Sequence, residues 1–399
     1  MPAIVLGGHV TALGVVRCLG RCGIASYVLS APGDYAGASR WSRRLAGAPI
    51  ESADPEPLAA FLETLPLKRA LLLPCSDIWL QAVAALPGAL RERFPAPISS
   101  LDTLLHFLDK ARFAALVGRL EVPHPRTAVV RRGEEEALER FDLEAADSQF
   151  FLKPTDSQHF VQRFGVKAFA VRNHDEARAR LATIWDAGVE SMLVQEYVPG
   201  PVSSHYFVDG FRAADGRTVG RLARRRIHMF PRDFGNSTYH ATVPLDELGG
   251  ALDHLERVLA DVGFRGIFSA EFKRDERDGE LKILEVNARP WWFVEFAASA
   301  GVNVCELAHR EALGLPIEPI TNYAVGARCV LPGADIRAYF AQRHEGGTSV
   351  LQWLRSWRGA SHTIFSVRDP LPALFQLGEV AGRWGAPRLP FRARARGRR

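Results

Sequence analysis

Glu271, Glu285, Asn287 and Arg289 fall within nineteen consecutive positions of this chain. The residues around them read as two strands, 266–274 and 281–287, joined by a polar turn, 275–280, that carries Asp278-Gly279. Side chains at i and i+2 of a strand share a face. Glu285 and Asn287 therefore point one way, while Leu284 and Val286 point into a core. On the first strand Phe268, Ala270 and Phe272 take one face and Glu271 the other. So short a hairpin brings Glu271 across from, or diagonal to, Glu285. Two carboxylates that close repel each other unless a positive group sits between them. Two Glu carboxylates and an amide oxygen are hard ligands of the kind that Mg²⁺ takes beside phosphate groups. A solvated strand face would account for Glu271 alone, but it accounts poorly for Glu285-x-Asn287-x-Arg289 taken together.

Other charged positions lie upstream: Lys110 in Leu108-Asp109-Lys110-Ala111-Arg112-Phe113, and Lys153 at the strand end Phe151-Leu152-Lys153-Pro154. Gln195-Glu196-Tyr197-Val198-Pro199-Gly200 ends another strand, Met192–Val194. The basic strand Arg221–His228 holds Arg224 and Arg226 on one face by alternation, where guanidinium groups could stabilise a transferring phosphate.

Glu285-Val286-Asn287-Ala288-Arg289-Pro290 resembles the E-x-N-x-R signature of the ATP-grasp superfamily, and the upstream fragments follow in that family's order. The resemblance implies that Glu271, Glu285 and Asn287 bind Mg²⁺ (or Mn²⁺) and that Arg289 contacts phosphate or the reacting carboxylate. It implies that Lys110 and Lys153 contact the ATP phosphates. Gln195, Glu196, Tyr197 and Val198 would form the adenine hinge. Arg224, Arg226 and Arg289 are then the catalytic candidates. The acid that commonly holds the ribose is replaced by Ser203-Ser204-His205, with Ser203 as the nucleotide-binding candidate. The phosphate-covering loop is poor in glycine: between Lys153 and Lys167 only Gly165 occurs, and Ser157, Gln158 and His159 supply polar groups. The opening Leu13-Gly14-Val15-Val16-Arg17-Cys18-Leu19-Gly20 is closest to carboxylate–amine ligases of the D-aspartate ligase kind.

The elements that must position these groups follow from periodicity. The first hundred residues alternate short apolar strands, Ala3–Leu6, Ala25–Leu29 and Arg69–Leu73, with helical patterns such as Thr11–Cys22, which implies a parallel α/β sheet. Gly7-Gly8 and Gly14 make a loose glycine turn without a G-x-G-x-x-G fingerprint. Residues 101–120 read as a helix, as do 252–262. The expected fold is α/β: an N-terminal parallel pre-ATP-grasp domain (1–98), then a two-lobed α+β ATP-grasp domain with a small lobe and lid (99–190) and a large lobe with the metal and phosphate site (191–320). A C-terminal extension (321–399) without evident chemistry follows, and the chain's 399 residues suffice for several packed units.

Composition narrows the class. Apolar residues are 47% and charged residues 24%, and no run of 18 apolar residues offers a membrane span. The first residues read as a strand and turn rather than a signal peptide. Five cysteines without a Cys-x-x-Cys pair point to reduced thiols in a cytoplasmic protein. The net charge of +5 sits in the tail, where 388–399 hold six arginines and no acid; without an aromatic platform or recognition helix, that tail reads as a solvated terminus rather than a nucleic-acid contact. The expected activity is ATP-dependent: a substrate carboxylate activated as an acyl phosphate and joined to an amine, with small molecules as partners and a homodimer allowed. The rival readings are a non-catalytic ATP-binding regulator or scaffold, and a carboxylase like biotin carboxylase.

Overall fold

A computed structural model describes residues 1–31, 33–43, 45, 53–143, 149–155, 160, 163–231, 235–342 and 349–377. The Ser157-Gln158-His159 segment, Asp233-Phe234 and the arginine tail lie outside the described residues.

Among the described residues, three sheets organise the chain. The first is parallel, in the order β3-β2-β1-β4, from β1 (Ala3–Leu6), β2 (Ser26–Leu29), β3 (Ser42–Arg43) and β4 (Leu71–Pro74). β1 and β4 are buried along their whole length, as expected of parallel strands covered on both faces. The helix His9–Arg21 packs its Leu13 and Val16 against Val294 and Leu307, so this sheet shares a core with the large lobe. Gly14, expected in the turn after β1, instead lies inside that helix, where a Cβ would come within 2.8 Å of Val294 Cγ1.

The second sheet runs β5-β8-β6-β7, all antiparallel, from β5 (Thr127–Arg131), β6 (Phe150–Pro154), β7 (Phe169–Val171) and β8 (Ser191–Glu196). β8, whose residues begin beyond position 190, pairs with β5 and β6 inside this sheet. The expected single helix over 101–120 is two, Leu101–Leu108 and Lys110–Arg119. Asp109 breaks it: its backbone is extended and its carboxylate accepts from the amides of Ala111 (2.7 Å) and Arg112 (3.1 Å), an N-cap that leaves Lys110 as the first helical residue. Both helices bury apolar residues, among them Leu104, Phe113 and Leu116, in the large lobe's core with Val208 and Phe268.

The third sheet has seven strands in the order β13-β12-β9-β10-β11-β14-β15: β9 (His205–Arg212), β10 (Thr218–Phe230), β11 (Asn236–Val243), β12 (Gly266–Arg274), β13 (Leu281–Asn287), β14 (Arg328–Val330) and β15 (Ser361–His362). β12 and β13 form the expected hairpin, with Glu271 directly opposite Glu285. Its register slips between the pairs Glu271↔Glu285 and Phe272↔Ile283, leaving Leu284 as an extra, bulged residue. Consequently Ile283 enters the core, and Leu284, expected there, is half-buried and lines the cleft. The C-terminal extension is no appendage, since β14 and β15 lengthen this sheet and Asp369 pairs with the fully buried Arg17 of the first helix.

Candidate functional site

A cleft of about 1820 Å³ opens where the second and third sheets and the N-terminal domain meet. Alternation along β12 turns Ser269, Glu271 and Lys273 toward it, and β13 adds Glu285 and Asn287. Lys110, Lys153, Gln195, Glu196, Tyr197, Val198, Arg224, Arg226 and Arg289 line it as well. Ser203 does not: it is exposed on the short turn Val202–Ser204, and its neighbours Val202 and His205 face the cleft instead.

The two glutamates differ in surroundings. Glu271 Oε1 accepts from His205 Nδ1 at 2.8 Å and from Arg226 at 2.9 Å. Burial alone would raise its pKa, but the Arg226 charge and the His205 hydrogen bond overcome it and hold the carboxyl at about 2. His205, buried beside Arg226, is pushed down to about 4 and is neutral at pH 7 despite its glutamate partner. Glu285 is exposed, and its Oε1 accepts from Asn287 Nδ2 at 3.1 Å. Among the described residues, no three His, Cys, Asp or Glu side chains cluster closely enough to hold a metal by themselves. A cation here would rest on two carboxylates and the amide oxygen of Asn287, with phosphate oxygens completing its shell, which suits Mg²⁺.

The lysines supply the opposite charge. Lys153 Nζ donates to Gln195 Oε1 at 2.5 Å, and Lys110 Nζ to the Pro154 carbonyl at 3.3 Å. Desolvation and the neighbouring Lys110 charge bring Lys153 down to about 8, against the pull of Glu285 and Glu271. Lys273, almost fully buried, sits 4.1 Å from the Tyr197 ring centroid, and burial together with the Arg226 charge lowers it to about 8. It lies two residues after Glu271, so strand alternation alone carried its signal.

The hinge residues come together, though with Glu196 already engaged. Its carboxylate accepts from Arg277 at 2.5 Å and Arg126 at 3.2 Å, and these pairings lower its pKa against the opposing effect of burial. A side-chain contact from Glu196 to a base would compete with both arginines, and the backbone amides of Glu196 and Tyr197 already donate to the Arg126 and Gln149 carbonyls at 2.9 and 2.7 Å.

Arg224 and Arg226 share a face as expected, but both are buried and occupied. Arg224 donates to Asp209 at 2.5 Å, approaches His240 Nε2 at 3.0 Å and stacks 3.9 Å from the Phe207 centroid. Burial and the adjacent Arg224 hold His240 well below its ordinary pKa, so its ring nitrogen accepts. Arg226 donates to Ser237 (2.6 Å) and Glu271. Arg289 forks onto Asp77 of the N-terminal domain at 2.7 and 3.2 Å and also reaches Asn287 Oδ1 at 3.3 Å. Asp77 and Asp209 were not legible as site residues, because neither carries a local motif. Of the aromatic run after the signature, Trp291 and Phe293 are core and Trp292 is exposed.

No family model matches the chain. It is 24% identical over 325 residues to the D-aspartate ligase of Enterococcus faecium, a match covering 77% of this chain and 76% of that one. The biotin carboxylase domain of the Hydrogenobacter thermophilus 2-oxoglutarate carboxylase, solved as a dimer with MgADP, ADP and bicarbonate, has a TM-score of 0.63 at 15% identity over 82% of this chain and 73% of that one. The L-amino acid ligase of Bacillus licheniformis gives 0.57 at 13% identity over 80% and 75%. The three sheets stand in the arrangement of the ATP-grasp fold that these solved structures share, and the sequence is similar to that of a D-aspartate ligase.

Proposed function

We propose that this cleft activates a carboxylate as its acyl phosphate at the expense of ATP and joins it to an amine, releasing ADP and phosphate. The observation that carries the reading is the facing of Glu271 and Glu285 across paired strands, beside Asn287, in one cleft with Lys110 and Lys153. The site residues take these roles. Lys110 and Lys153 neutralise the triphosphate. The C-terminal end of β8 and the Val198 backbone hold the base. Glu271, Glu285 and Asn287 would hold Mg²⁺ or Mn²⁺, and a cation bound there would supply charge neutralisation for the transferred phosphoryl group.

Arg289, anchored by Asp77, orients the substrate carboxylate for in-line attack. Arg226 keeps Glu271 ionised, while Arg224, neutralised by Asp209, supports the site wall rather than the phosphate. We place the lobe boundary after Glu196 and assign the helices of 101–119 to the large lobe's core. A small acid and a small amine are the proposed partners, and the relative of E. faecium supports an amino acid as one of them.

The test is ADP release by the full chain with pooled amino acids and carboxylates, with bicarbonate in a separate arm. Release that needs both an acid and an amine supports the ligase. Release with bicarbonate alone supports the carboxylase reading, and nucleotide binding without turnover under any condition supports the regulator.

A further inference from the structure

Exposed apolar surface is unevenly spread over the molecule. Among the described residues it concentrates in the C-terminal extension: Phe340 on the helix Pro332–Gln342, Leu351 and Leu354 on Val350–Ser356, then Val367, Leu374 and Phe375, each roughly half exposed or more and Val367 85% exposed. Leu351 and Leu354 lie three apart on one helix, as do Leu371 and Leu374 within the helical stretch 371–377, so these side chains share outward faces. Isolated exposed leucines are ordinary, but such a concentration marks an interaction surface.

Among the described residues of this region the exposed charge has one sign. Among the described residues from 332 to 377 the acids are Asp335 and Asp369, both fully buried. Asp335 accepts from Thr238, Trp353 and Trp357, and Asp369 from Arg17 and Ser39. Arg337, Arg355, Arg358 and Arg368 are all exposed. Beyond residue 377 the sequence continues for 22 residues with seven arginines and one acid, Glu379, and sets Trp384, Leu389 and Phe391 among the arginines.

These observations select the occupant. The chain's own basic tail, or the same face of a second copy, would bring like charge onto like charge. Duplex nucleic acid would satisfy the arginines but offer nothing to Leu351, Leu354, Val367 and Leu374. An anionic lipid surface satisfies both, with phosphates for the guanidinium groups and acyl chains for the apolar side chains. Among the described residues no helix is long and apolar enough to cross a membrane, and the proposed contact is a peripheral one.

We propose that the C-terminal extension docks the enzyme on an anionic membrane surface. The platform is fixed to the catalytic body by β14, by β15 and by the Arg17–Asp369 pair, so docking holds the whole enzyme at the lipid. This inference does not rest on the chemistry of the cleft.

The test is co-sedimentation of the full chain with vesicles of equimolar phosphatidylglycerol and phosphatidylcholine, against vesicles of phosphatidylcholine alone. Binding to the mixed vesicles is expected to exceed binding to the neutral ones by about tenfold or more and to weaken with added salt. Truncation after Leu377 and the double change Leu374→Glu with Phe375→Glu should each lower it by a similar factor, while the circular dichroism spectrum and thermal midpoint stay as in the parent chain. Equal binding to both vesicles, no binding to either, or full binding by the double variant would overturn the proposal. So would capture of a short DNA duplex that outcompetes the mixed vesicles, or a dimer in solution that the double variant dissolves.

Discussion

Glu271 stands directly opposite Glu285 in the β12–β13 hairpin, yet among the described residues only Glu271 is tied to a protein cation, one of its oxygens accepting from Arg226 as well as from the neutral His205. Glu285 is exposed and has only the Asn287 amide as a donor among the described residues. The pair therefore divides two duties, one carboxylate stabilising the fold of the site and both facing the proposed metal position.

That division makes the two amide variants differ. Glu285→Gln should cut ADP release by roughly 10²–10³-fold, the usual loss for one preorganised charged contact, with an unchanged melting temperature. Glu271→Gln should lose comparable activity and also about 1–3 kcal/mol of stability, because Arg226 is left buried beside a neutral amide. Steady-state ADP release and denaturant unfolding of both variants check this, and equal stabilities would refute the asymmetry.

In its proposed role beside the phosphates, Lys153 should set a pH limit on nucleotide binding. Burial and Lys110 depress its pKa to about 8, so the cation is present below that value and lost as pH rises through it. ATP binds the charged form, so its Kd should rise above pH 8, by roughly tenfold if one charge-assisted contact is lost. Lys153→Arg, which stays protonated throughout, should flatten the profile. Calorimetric titration with a non-hydrolysable ATP analogue across this range reads both curves.

Asp77 reaches the site from outside the signature. Its carboxylate holds Arg289 in a two-point fork, joining the N-terminal domain to the end of β13. Asp77→Ala frees the guanidinium to swing, and a misplaced orienting group costs as much as about 10²-fold in turnover. The expected outcome is a fall in kcat/KM for the acid substrate with the ATP Kd unchanged. A parallel loss of ATP affinity would show that Arg289 serves the nucleotide instead.

What the sequence made legible was local. The period-2 pattern over 266–287 located the hairpin, its turn and the facing of Glu271 and Glu285, because strand alternation and a short turn fix register together. What it hid was either a one-residue event or a distant pairing. The bulge at Leu284 reverses which of two adjacent apolar residues is buried, and both read alike in one dimension. Asp109 stops a helix whose apolar pattern runs through it unbroken. The buried pair of Asp209 and Arg224 depends on β9 and β10 lying side by side, so Arg224 looked like a free cation until its neighbour strand was known. Ser203 illustrates the converse, since its place in the chain suggested a ribose contact that a short turn directs into solvent.

The most distant of these pairings carries the last prediction. Asp369 lies 352 residues from Arg17, yet its carboxylate accepts from Arg17 Nε at 2.9 Å, with both side chains fully buried. Ser39 Oγ and the Arg40 amide donate to the same carboxylate, each at 2.8 Å. Arg17 gains further support from Glu295 at 3.1 Å and from the carbonyls of Thr363 and Ile364, so the guanidinium is nearly saturated by groups of the C-terminal half. Removing one partner of a buried pair leaves an uncompensated charge and costs about 3–5 kcal/mol. Asp369→Ala should therefore unfold at markedly lower denaturant, although the residue is remote from the cleft. Replacing both members, Arg17→Met with Asp369→Leu, should recover much of that loss, because an apolar pair of similar volume leaves no buried charge. Urea unfolding of the single and double variants measures the coupling directly, and a double variant no more stable than Asp369→Ala would show that Ser39, Arg40 and Glu295, rather than the ion pair itself, hold the extension in place.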